Sequence, residues 1–255
     1  MQHKINELLK NNRGIFLNLD TGLEHGTAKF NSATINPDNI IKTAKEAKFN
    51  GLIMQKGLAM HYRDCYKYHI PLILKLNGTF KSRYFGRHHL PTCSVSRAVE
   101  IGADAVGYTI HFNSVAEKDM IIEFSKIEEE AHKHRLPVFA FVDAEIGDAD
   151  ELPDFTRKCM ELGADFVAVN YINDKNTFNI VAKSCGNARL LLDVKRKDVR
   201  HIFNETHEAV NSGCKGISIG EQFWNHEKPL QFAEALKSIL FGNKKPDYAE
   251  KILRR

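Results

Sequence analysis

ELGADFVAVN (161–170) packs a helix end, a turn and a buried strand into one short stretch. Gly163 suits a left-handed helix cap, Ala164 lets the chain turn into a sheet, and FVAV is apolar at every position. A strand with no polar alternation is one covered on both faces, as in parallel sheets flanked by helices. The same device returns in IGADAVGYT (101–109) and SGCKGISIG (212–220), which makes it a repeat.

Working outward, eight short apolar runs read as strands: 14–20, 51–55, 71–77, 104–110, 137–142, 165–170, 189–194 and 216–220. Helical patterns separate them, among them 40–49, 96–103, 116–134, 151–164 and 199–213. Strict alternation of strand and helix over a chain of 255 residues predicts a closed (β/α)8 TIM barrel, in one unit spanning 1–255. An open doubly wound sheet is the runner-up, but no G-x-G-x-x-G turn follows the first strand. Residues 1–11 are expected as a short helix capping the lower end of the barrel, and 242–255 as a charged tail.

Composition narrows the function. Hydrophobic residues make up 43%, charged residues 27%, and the net charge is only +4, with basic residues scattered except at Lys195–Lys197 and Lys244–Lys245. That argues against a nucleic-acid surface. No apolar run approaches membrane-spanning length and the N-terminus is polar, so neither a membrane span nor a signal peptide is expected. Five cysteines without a C-x-x-C pair suit reduced thiols in the cytoplasm.

In TIM barrels the site is built where strands end. The ends here offer Asp20–Gly26, Gln55-Lys56-Gly57, Lys75-Leu76-Asn77-Gly78, Thr109–His111, Asp143-Ala144-Glu145, Asn170-Tyr171, Asp193–Lys195 and Gly220-Glu221. The stretches DTGLEHG, GLIMQKGLA, IPLILKLNG, GADAVGYTI and EEEAHKHRLPV, in that order, resemble DQGLEHG, ALQKGLA, PLILKLNG, GADAVGYTIY and EEAHEYGLPV of the archaeal-type class I fructose-bisphosphate aldolases. The resemblance implies descent from a sugar-phosphate lyase, with a small-molecule ligand, a sugar phosphate by descent, no cofactor and no metal, and it allows a homo-oligomer. Enzymes of that family form a Schiff base between a lysine of the sixth strand and a ketone, using the iminium as an electron sink.

By this resemblance Asp20 matches the assisting aspartate of the first strand, Lys56, Lys75 and Asn77 line the mouth, His25 orders the first loop, and Gly220 matches a phosphate-binding turn. Asn170 closes the sixth strand. Four positions depart from the family pattern. The reactive lysine becomes Ala168 in DFVAVNY, the proton-moving tyrosine becomes Asp143 in FVDAEIG, a Gly-Gly turn becomes Asp193 or its neighbours in LLLDVKRK, and an arginine becomes Glu221 in SIGEQFW. Alanine forms no imine, and aspartate, with a reference pKa near 4 instead of 10, is a poor substitute for tyrosine. A carboxylate about 4 Å from a phosphate repels it by about 4 kcal/mol at an effective dielectric of 20.

Three readings follow. The inherited Schiff-base route is closed and the barrel keeps a ligand or partner site; or a relocated lysine acts, Lys195 first, then Lys75 or Lys56; or Asp143, Asp193 and Glu221, with Asp20 and Glu24, form an acidic mouth for a cation or amine-bearing ligand. The catalytic candidates are Asp20, Lys75, Asp143 and Lys195, and the binding candidates Lys56, Asn77, His25, Asn170, Gly220, Glu221 and Asp193. His88-His89, in the polar stretch FGRHHLPT, is expected as a chance pair on the surface, and Phe223 and Trp224 as packing for a short helix.

Overall fold

The computed structural model describes residues 1–67, 70–82, 86–144, 146–171, 174–196 and 198–255, apart from the side chains of 24, 25, 66, 81, 82, 86–88 and 146–148. Its strands are β1 (Gly14–Asn18), β2 (Gly51–Gln55), β3 (Leu72–Lys75), β4 (Asn77–Ser82), β5 (Gly86–Pro91), β6 (Ala105–His111), β7 (Val138–Asp143), β8 (Phe166–Val169), β9 (Arg189–Asp193) and β10 (Gly216–Ile219). Eight of them close a parallel barrel in the order β1-β10-β9-β8-β7-β6-β3-β2, so the expected TIM barrel is the observed fold.

Side chains alternate across each strand. Outward residues such as Leu17, Met54, Leu74, Val106, Val167 and Leu192 join the helices in one continuous core. Inward residues form a second cluster: Phe16, Ile53, Ile73, Ala105, Phe139, Phe141, Phe166, Ala168 and Leu191. Phe139 and Phe166 stack at 4.1 Å between ring centroids, with Phe16 edge-on at 5.4 Å from Phe139. Glycine makes room for this aromatic plug: a Cβ on Gly51 would lie 2.5 Å from Ile73 Cδ1, and one on Gly216 would lie 2.4 Å from the Gly14 carbonyl oxygen.

The repeated cap behaves as its sequence implies. Gly102, Gly163 and Gly213 have φ of 85°, 93° and 111°, each just before a strand, a conformation that costs glycine little. Helices begin at sequence-encoded caps: Asn36 accepts from the Asp38 amide at 3.1 Å and Asp198 from the His201 amide at 2.9 Å.

The helix Gln2–Leu8 closes the lower end, with Ile5 and Leu8 buried in the inner cluster. Residues 242–255 are more than a charged tail. Pro246–Leu253 is a helix begun by proline, and it buries Ala249 and Ile252, three residues apart on one face. Arg200 of a neighbouring helix holds Asp247 at 2.7 Å. The third expected strand also differs. It ends at Lys75, and Asn77–Ser82 turns back as an antiparallel hairpin with Gly86–Pro91. No helix among the described residues is long and apolar enough to cross a membrane.

Candidate functional site at the barrel mouth

Above the aromatic plug, inward positions turn polar. Asn18, Gln55, Lys75, Thr109, Asp143 and Asp193 line a cavity with Asp20, Lys195 and the hairpin residue Thr79. Phe141 forms part of its floor and is 4% exposed.

Ala168 is 1% exposed and points into the barrel. It is paired in register with Phe141 on one side and Leu191 on the other. A methyl group therefore occupies this inward position of the sixth barrel strand. The amines that line the cavity, Lys75 on β3 and Lys195 just beyond β9, are each held by a carboxylate. Lys75 Nζ lies 3.2 Å from Asp20 Oδ2 and 4.0 Å from the Phe141 ring centroid, its side chain 5% exposed. Lys195 Nζ lies 2.8 Å from Asp193 Oδ2. The Lys195 side chain is 62% exposed, with its ammonium against Asp193. Asp193 raises its pKa above the ordinary lysine value, partial desolvation opposes that, and Asp20 and Asp143 add to the rise. An amine held protonated is a poor nucleophile.

Asn77 is 1% exposed. Its Nδ2 donates to the Thr109 carbonyl at 2.8 Å and its Oδ1 accepts from the Thr109 amide at 2.9 Å. Gln55 Nε2 in turn donates to the Asn77 carbonyl at 2.8 Å. Both groups of the Asn77 amide are thus engaged in joining the hairpin to β6, and Asn77 acts here as a clamp shaping the cavity.

Three carboxylates of the acidic mouth read from the sequence lie against lysines. Asp20 meets Lys75, Asp193 meets Lys195, and Glu221 Oε1 lies 3.2 Å from Lys29 Nζ. Lys29 offsets the charge expected to repel a phosphate. Gly220, the expected phosphate turn, receives the Gln222 side chain: its amide donates to Gln222 Oε1 at 3.3 Å. Lys56 opens the helix Lys56–His61, exposed and away from the cavity lining. Asn170 does not line the cavity either, and its buried Oδ1 accepts no hydrogen bond. The side chains of Glu24 and His25 lie outside the described residues. Phe223 is fully buried, and Trp224 stacks on Phe30 at 5.9 Å, as a packing role implies.

The surface reading of His89 is overturned. Its side chain is only 3% exposed, with Nε2 3.2 Å from Asp143 Oδ2. The hairpin carries it inward, because His89 pairs across the turn with the cavity residue Thr79. His111 and Asp143 are register partners at the ends of β6 and β7, and the His89 and His111 rings lie 5.2 Å apart. Among the described residues this is the group whose donor atoms could hold a metal ion. Sequence periodicity contained part of the signal, since His111 and Asp143 end neighbouring strands with the same inward parity. The contribution of His89 depended on a hairpin that a polar loop reading hides.

A parallel barrel closed below by a helix, with lysine–carboxylate pairs at the carboxyl ends of its strands, defines an aldolase-type barrel once its relatives are considered. The sequence profile of the DeoC/LacD family aldolases matches residues 15–226. Over 244 residues the chain is 34% identical to the class 1 fructose-bisphosphate aldolase of Thermoproteus tenax, covering 91% of each chain. It is 23% identical to 2-amino-3,7-dideoxy-D-threo-hept-6-ulosonate synthase 1 of Archaeoglobus fulgidus over 95% of this chain and 91% of that one. An archaeal fructose-1,6-bisphosphate aldolase solved with its catalytic lysine covalently bound to the carbinolamine intermediate of its substrate superposes with a TM-score of 0.85 at 31% identity, covering 94% of this chain and 99% of that one. The chain belongs to the DeoC/LacD aldolase family.

Proposed function

We propose that this family member binds a small, oxygen-rich ligand of the sugar-phosphate class at the barrel mouth and does not process it through a Schiff base on the sixth strand. The observation carrying the reading is Ala168, buried and inward-facing, flanked in register by Phe141 and Leu191. The relocated-lysine reading needs a neutral amine aimed into the cavity. Lys195 is pushed towards its protonated form by Asp193, and Lys75 is held between Asp20 and the Phe141 ring. Two ammonium groups at one mouth still suit an anionic ligand, which would exchange with the carboxylates for them. The free thiols of Cys65, Cys93, Cys159, Cys185 and Cys214 fit a cytoplasmic setting.

A binding screen tests this reading together with an aldol-cleavage assay. Triose and hexose phosphates are expected to raise Tm and to bind by calorimetry, with no metal-independent cleavage above background. Cleavage of fructose 1,6-bisphosphate by chelator-treated protein contradicts it.

A further inference from the structure

We propose that His89, His111 and Asp143 form a divalent transition-metal site at the edge of the barrel mouth, open on its cavity side to oxygen donors of a ligand such as a hydroxy-ketone. One nitrogen from each imidazole and one carboxylate oxygen, from β5, β6 and β7, lie within 4.8 Å of one another. Donor atoms on one tetrahedral ion lie about 3–4 Å apart, so small side-chain rotations would bring all three onto it.

The hydrogen bonding around His89 points the same way. Nδ1 lies 3.1 Å from Thr79 Oγ1. If Nδ1 carries the ring proton, it donates to Thr79, and Nε2 presents a lone pair towards Asp143 Oδ2. Nε2 is buried and makes no aligned hydrogen bond, although that oxygen is 3.2 Å away. A lone pair facing a carboxylate oxygen is unfavourable until a cation stands between them. A hydroxyl on the outer imidazole nitrogen is also what orients a metal-bound histidine.

Charge and donor type select the ion. Asp143 brings a carboxylate to the two imidazoles, so the three donors together carry a negative charge that suits a cation. Two imidazoles and one carboxylate favour Zn²⁺, Fe²⁺, Co²⁺ or Mn²⁺ over Mg²⁺ and Ca²⁺, which prefer oxygen. Three protein ligands leave an open position, as in catalytic metal sites. Asp143 and Thr79 also line the cavity, so that position serves the ligand there, and the ion would polarise its carbonyl oxygen as a Lewis acid. The ligand class rests on the mouth being the binding site; metal binding does not, so the two ideas fail separately.

The test is titration of chelator-treated full-length protein with Zn²⁺ and Co²⁺, read by calorimetry and by the visible Co²⁺ spectrum. One ion per chain is expected, with Mg²⁺ and Ca²⁺ at least about 100-fold weaker. His89→Gln and His111→Gln should each abolish it, and Thr79→Val should weaken it about 10-fold. Zn²⁺ should also protect His89 and His111 of the wild-type protein from diethyl pyrocarbonate, read by peptide mass, which locates the site even where a variant fails to fold. Absence of Zn²⁺ and Co²⁺ binding at 1 mM overturns the proposal. So does binding that leaves both histidines unprotected, or that is unchanged in folded His89→Gln protein.

Discussion

The ammonium of Lys75 stands 4.0 Å from the centre of the Phe141 ring. The same nitrogen reaches Asp20 at 3.2 Å, so one cation joins the floor of the cavity to its rim. Removing it leaves a partly buried carboxylate without its partner. Asp20 is 23% exposed and can recover hydration, so the cost falls below that of a fully buried pair. Lys75→Met should lower unfolding free energy by about 1–3 kcal/mol. Urea unfolding checks this, and a double-mutant cycle with Asp20→Asn should show that most of the loss belongs to the pair.

Gly107 provides the space in which Lys75 and Phe141 meet. A Cβ there would lie 2.9 Å from Phe141 Cε2 and 3.5 Å from Lys75 Cδ. Gly107→Ala should therefore push the ring out of place at a cost of about 1–3 kcal/mol. Because the ring is part of the cavity floor, the Tm increase produced by a bound sugar phosphate should shrink as well. A variant as stable as wild type, with an unchanged ligand response, would show that the floor is not packed as described.

Asn77→Ala removes two hydrogen bonds to the Thr109 backbone. An amide and a carbonyl are left without their partners near the cavity, each worth about 1–3 kcal/mol when buried. Loss of about 2–4 kcal/mol is expected in denaturant unfolding. A change within experimental error would mean that water substitutes for the side chain, and the clamp role would be wrong.

Lys195 makes a prediction about pH. Its folded pKa is raised, chiefly by Asp193. The stabilisation from such a group is complete below the unfolded lysine value and is lost only as pH climbs through the higher folded one. Stability near neutral pH should therefore not vary through Lys195, and its loss belongs to the strongly alkaline range. At pH 8.5 the amine should acylate slowly, and Asp193→Asn should speed that reaction, as followed by peptide mass spectrometry. Equal rates in the two proteins would remove Asp193 as the cause.

The barrel was legible because its signals are local. Phe166–Val169 is apolar throughout, and Gly102, Gly163 and Gly213 sit where helices must turn into strands. Ala168 could be placed by its position in a strand whose parity is fixed by its neighbours. The pairing of the mouth residues was less accessible. Lys29, which meets Glu221, and His89, which meets Asp143, come from segments far away in sequence and outside the barrel strands. Hydrophobic periodicity carries no information about such partners. The helix Pro246–Leu253 was hidden for a related reason: few apolar residues mark its buried face, although Ala249 and Ile252 suffice once two other helices supply the surface.

Reductive trapping tests the central claim most directly. Metal-free protein is incubated with fructose 1,6-bisphosphate or dihydroxyacetone phosphate and sodium borohydride, and its intact mass is measured. Ala168 at the inward position of the sixth barrel strand, with Lys75 and Lys195 paired to carboxylates, predicts an unchanged mass. A stoichiometric adduct mapped to Lys75, Lys195 or any other lysine of the mouth would contradict it.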